Sequence, residues 1–201
     1  MALNDAYSTA AQYRSVVGKT DTAADSDILT DLNAVSRYLD GKLGRFFTKD
    51  AAAVARYYRP DVAVYALRVD DMAAAPTSVK LDLDGDGVCE TALAATDYEL
   101  LPRNAAKEPE PAPYTRIRMA DWGTYDVFYG GYLVEVTAQF GWPSVPDAVQ
   151  RATIHLAAIL RLETPRATRR IVELEGAIEA SADAMSIVRQ LTDRYQVTRY
   201  V

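Results

Sequence analysis

The sequence predicts an α+β fold: a small helical bundle, with two N-terminal and two C-terminal helices, carrying an inserted antiparallel β region. Three observations predict it. Apolar residues recur every three or four positions near both ends of the chain, they alternate with polar ones through the middle, and Gly, Pro and Asp clusters punctuate that middle. With 201 residues, 49% of them hydrophobic, the chain can bury a sizeable core without disulfides or metals. The expected organisation is a single domain over 1–201, with N-terminal helices in 1–55, the β region in 56–141, and C-terminal helices and a tail in 142–201.

Each element has a local cause. In YSTAAQYRSVVG, Ser8 or Thr9 caps a short helix that Gly18 ends by taking the left-handed conformation. From Ser26 or Asp27, Ile28, Leu32, Val35, Leu39 and Leu43 lay one apolar stripe along a second helix, which frays at Gly41 and Gly44. The runs 57–67, 78–84, 96–102, 114–119 and 132–140 are β-branched and aromatic with period-two alternation, so they are expected as strands. The Pro- and charge-rich stretch 103–113 is expected as an exposed loop. After GWPSVP, Pro146 suits a first helical position, and Val149, Ala152, Thr153, Leu156, Ala157 and Leu160 form the stripe of a third helix. Ile154 and Ile159 lie off that stripe, as on a helix buried on more than one side or against another subunit. Pro165 stops it. A last helix from about Ala182 carries Met185, Val188, Leu191 and Tyr195.

Charge and rare residues exclude several function classes. The net charge is −6, which argues against general nucleic-acid or membrane-surface binding. Residues 1–100 hold 10 Lys+Arg against 16 Asp+Glu, and residues 101–201 hold 12 against 12, so the first half carries the whole excess of six. Within 151–170 the sign reverses, with Arg151, Arg161, Arg166, Arg169 and Arg170 facing Glu163 alone. An acidic front and a locally basic segment suit a head-to-tail contact between copies. Arg161, Arg166, Arg169, Arg170, Ile154 and Ile159 are the candidate subunit interface. Cys89 is the only cysteine and His155 the only histidine, which leaves no multi-cysteine or multi-histidine metal site. No run approaches the roughly 20 apolar residues of a membrane span, and MALNDAYSTAAQYRS has neither region of a signal peptide, so no membrane partner is expected.

Two motifs invite chemistry. In LDLDGDGVCE, Asp82, Asp84 and Asp86 followed by Gly87 reproduce the first half of a calcium loop. The position that should be a bidentate glutamate is Leu93, and the flanks are strand-like. A hairpin turn with Gly85 and Gly87 at positive φ and solvated aspartates is the expected structure, leaving this triad as the one metal candidate. Gly18-Lys19-Thr20 ends like a phosphate-binding loop, but the glycine required five residues before Gly18 is Tyr13. His155 has no carboxylate three or four residues away, so a hydrolase built on it lacks its orienting acid; a packed or interface histidine is expected. Cys89 is expected as a half-buried small residue. Neither an enzyme nor a cofactor is expected. Thirteen tyrosines, eight of them between 57 and 132, favour an assembly surface.

The hairpin VKLDLDGDGVCET, the phrases TDYELLP and PYTRIRM, and above all VEVTAQFGWPSVPDAVQRATIHLAAIL resemble phage head-tail connector (adaptor) proteins of the gp6-like class. The resemblance spans about residues 8 to 162 and is most specific at Phe140-Gly141-Trp142-Pro143. It implies a structural protein of the virion neck, made in the host cytoplasm, that forms a ring, typically dodecameric. Such a ring lies between the portal protein and the stopper or tail-completion protein and continues the DNA channel without specific DNA binding. It also implies that the C-terminal region meets the portal, which here falls on Arg189, Arg194, Tyr195, Arg199 and Tyr200. The stretch 163–181 is more charged and poorer in glycine than the family pattern. The alternative from the residues themselves is a calcium-steadied protein-binding module.

Overall fold

A computed structural model describes residues 6–107, 110–163 and 181–196. The fold is α+β, with four α-helices and two antiparallel sheets among the described residues. The chain divides into two compact units, Met1–Phe47 with Val145–Val201, and Thr48–Ser144.

The first unit is helical. Helix α1 (Ala10–Val17) opens with a full capping box, in which Thr9 accepts from the Gln12 backbone N–H and the Gln12 side chain accepts from that of Thr9. Gly18 closes it at φ 71°. Helix α2 (Asp25–Leu43) starts before the expected Ser26 or Asp27 cap. Ala24 provides no side-chain cap; Asp25 and Asp27 sit in the first turn, where the helix dipole favours negative charge, and Asp25 also holds Arg14. Gly41 lies inside the helix and Gly44, at φ 64°, ends it. Helix α3 (Asp147–Glu163) begins one residue after Pro146, whose carbonyl accepts from Gln150. Helix α4 (Ala182–Tyr195) is capped by the Ser181 hydroxyl. The apolar stripes meet in one core: Ile28, Leu32, Val35, Leu39 and Leu43 of α2, Val149, Leu156 and Leu160 of α3, and Val188 and Leu191 of α4 are all buried. Each such side chain contributes about 2 kcal/mol of burial.

The second unit holds the sheets. Strands β1 (Val54–Tyr58), β7 (Val134–Ala138), β3 (Ser78–Leu81) and β4 (Thr91–Ala92) form one sheet in that order. Strands β2 (Ala66–Met72), β6 (Tyr114–Met119) and β5 (Tyr98–Leu101) form the other. Inward residues from both, including Leu67, Val69, Val79, Ile117, Met119, Val134 and Val136, share a core with Phe128 and Phe140. The run 57–67, expected as one strand, splits between the sheets, because Pro60 has no N–H to give a ladder and 59–65 turns instead. The loop after β5 is not wholly exposed: Ala105, in a short 3-10 turn (Ala105–Lys107), is completely buried.

Candidate functional site

The turn joining β3 to β4 carries the aspartate triad. Gly85 and Gly87 take φ of 80° and 91°, as the hairpin reading requires. Asp82 departs from that reading, being 2% exposed rather than solvated. Its carboxylate folds back into the turn and accepts the Gly85 N–H at 2.6 Å and the Gly87 N–H at 3.1 Å. Burial is tolerated because both oxygens are hydrogen-bonded. Asp84 and Asp86 are exposed and each accepts a backbone N–H two residues on. One carboxylate oxygen from each of the three lies within 4.8 Å of the others, close enough to share a cation.

The outer faces of the sheets are polar. On the four-stranded sheet, Tyr57, Glu135 and Lys80 stand in one row across β1, β7 and β3. The Tyr57 hydroxyl donates to Glu135 at 3.1 Å and the Lys80 ammonium lies 2.9 Å from it. Lys80 holds the Glu135 carboxyl below the usual range. Cys89 is half-buried as expected, and burial pushes its thiol up, which makes it a poor nucleophile. At the end of the other sheet, Tyr65 and Trp122 are 71% and 72% exposed.

Of the residues expected at the portal, the described ones differ in exposure. Arg189 and Arg194 stand exposed on α4. Tyr195 is 5% exposed, its ring edge-on to Phe47 at 5.6 Å, so it anchors α4 within the helical unit instead of presenting itself. Arg199 and Tyr200 lie outside the described residues. Of the expected subunit contacts, Arg161 is committed to Asp31 on α2, Ile154 is buried within its own unit, and Ile159 is half-buried. Arg166, Arg169 and Arg170 lie outside the described residues. His155 is exposed on α3 and not packed in a core.

Sequence reasoning missed three arrangements. The Tyr7 hydroxyl donates to the Asp40 carboxylate and accepts the Phe47 N–H at 3.1 Å, with the Arg37 guanidinium 3.0 Å from Asp40. Burial raises the Asp40 carboxyl to about 6, against the lowering by Tyr7 and Arg37. Burial and then Asp40 push the Tyr7 phenol up. The Phe140-Gly141-Trp142 phrase proves to be a clasp: Phe140 lies under the Arg56 guanidinium at 4.0 Å, and the Trp142 indole donates to Asp71 at 3.1 Å. The third arrangement is the placement of Arg68 directly opposite Arg116 across β2 and β6, which only the strand register reveals.

No protein-family model matches the chain, and no curated protein matches it. Solved structures do. The chain aligns over its full length with 95% of a chain in the neck of an empty gene transfer agent particle computed with C6 symmetry, at a TM-score of 0.51 and 20% identity. Matches to a chain in the virion of the native gene transfer agent particle (TM-score 0.49, 20% identity, 100% of this chain and 95% of that one) and in its neck computed with C12 symmetry (0.46, 21%, 100% and 94%) are lower. At this identity the first match establishes a shared fold.

Proposed function

We propose that this chain is a structural neck protein of a phage-like particle, a head-to-tail connector whose copies form a ring between the portal and the stopper or tail and continue the DNA channel. The observation that carries the proposal is end-to-end agreement in fold with a neck chain, 100% of this chain against 95% of that one, in a structure computed with C6 symmetry. It converges with a resemblance drawn from the sequence phrases alone. The reading is non-catalytic: the clusters at Asp40 and Glu135 serve packing and sheet pairing, and Asp82 organises the β3–β4 turn.

The net charge of −6 suits a conduit, because phosphate meeting like charge is not retained and DNA can slide. The exposed guanidinium groups of Arg189 and Arg194 remain the portal-facing candidates, with Tyr195 holding the helix that displays them. Removing the chain from particle assembly tests the placement. Filled heads and separate tails should accumulate; normal, joined particles in its absence would contradict it.

A further inference from the structure

The outward face of the three-stranded sheet is unevenly neutralised. Along β2, Leu67 and Val69 enter the core while Arg68 points away, and along β6, Ile117 and Met119 enter while Arg116 and Arg118 point away. The register builds two neighbouring rows, Ala66–Arg118–Glu99 and Arg68–Arg116–Leu101. The first row is balanced. Asp121 accepts from Arg118 at 2.9 and 3.1 Å, and Glu99 accepts from Arg103 at 2.7 Å.

The second row places two arginines directly opposite each other with no acid between them. Among the described residues, neither Arg68 nor Arg116 makes an ion pair. Asp70, the next acid along β2, is engaged by Arg56 at 2.8 Å and by the Tyr58 hydroxyl at 3.2 Å. Like charges directly opposite on an antiparallel pair destabilise the sheet. A guanidinium fork is best satisfied by a carboxylate that it grips bidentately. The same unit carries the complement, since Asp84 and Asp86 are exposed on the β3–β4 turn and accept only backbone N–H groups of that turn.

We propose that the Asp84–Asp86 turn of one copy docks on the Arg68–Arg116 row of the next, head to tail. The inference rests on the ring reading above and names its contact. One acidic and one basic element per copy allow a heterologous contact, the kind that closes rings or extends filaments; association that stops at a two-fold dimer would overturn the head-to-tail arrangement. A nucleic-acid partner fits less well, because phosphate backbones need an extended basic field and this row ends in Leu101 on a chain of net −6.

The test is sedimentation velocity of the full chain over a concentration series at low salt, where exposed charge pairs are least screened. Arg68→Glu with Arg116→Glu should weaken self-association about tenfold or more, as should Asp84→Arg with Asp86→Arg. The fourfold variant carrying both swaps, and an equimolar mixture of the two double variants, should recover it. Arg68→Glu alone sets an acid opposite Arg116, so it should melt no lower than the wild type while still losing association. Unchanged association in either double variant, no recovery in the fourfold variant, or a wild type that stays monomeric throughout would overturn the contact. So would duplex DNA binding that depends on Arg68 and Arg116 while self-association does not. Mixing with portal separates this inference from the neck reading. Double variants that still form complete rings on the portal sink the contact alone, whereas a wild type that ignores the portal sinks the neck reading.

Discussion

Asp40 is an acid held where its charge is costly. It is 8% exposed on α2, and burial lifts its carboxyl from 3.8 to about 6 although Tyr7 donates to it and Arg37 faces it. Because the folded value lies above the unfolded one, the stability linked to its proton is fully present below about pH 4 and is lost as pH rises through about 6. At 1.36 kcal/mol per unit, roughly 3 kcal/mol is at stake. Urea melts of Asp40→Asn should therefore gain on the wild type by about that amount between pH 4 and pH 7; parallel stability curves would contradict the assignment. The Tyr7–Asp40 pair lies 33 residues apart in sequence and no periodicity links its members, so it was not legible beforehand. The Phe140-Gly141-Trp142-Pro143 phrase was legible as a signature, but its cause was not. Gly141 sits at φ 110°, and a Cβ there would come within 2.0 Å of the Thr48 carbonyl oxygen. Gly141→Ala should cost about 3 kcal/mol or more, read as a lowered melting temperature.

At the scale of elements, what was legible followed from local pattern. The stripes of α2 and α3, the Gly18 and Gly44 stops and the strand 114–119 fell where spacing put them, because each depends on neighbours within four residues. The run 57–67 failed at Pro60, where alternation continued in sequence while the ladder could not, and β2 reached on to Met72 through Asp70 and Asp71. The β3–β4 turn has the hairpin shape its glycines predict, and Asp84 and Asp86 are solvated as expected, but Asp82 is buried. Its calcium-like spacing reflects a buried aspartate that organises the loop through two backbone N–H bonds. Asp82→Ala should then cost about 1–3 kcal/mol by stranding those donors, whereas Asp84→Asn should stay within about 0.5 kcal/mol. Equal effects in denaturant melts would mean that the turn is not organised by Asp82.

For the whole molecule, charge carries the account. A net of −6 divided into an acidic first half and a balanced second half suggests pairing between copies, with the locally basic 151–170 as the expected partner. Arg161 is instead engaged by Asp31, while Arg68 and Arg116, which among the described residues make no ion pair, stand opposite each other on the outer face of a sheet. Sequence could not separate these arginines, since neutralisation depends on strand register and helix packing between distant segments. The division into a helical unit and a β unit inserted within it follows the change of period along the chain. The most direct measurement of the central claim is the native mass of the full chain mixed with the portal of the same particle, at micromolar concentration and moderate salt. A portal complex carrying a closed ring of many copies is the expected result, and a portal that retains no copy would contradict the account.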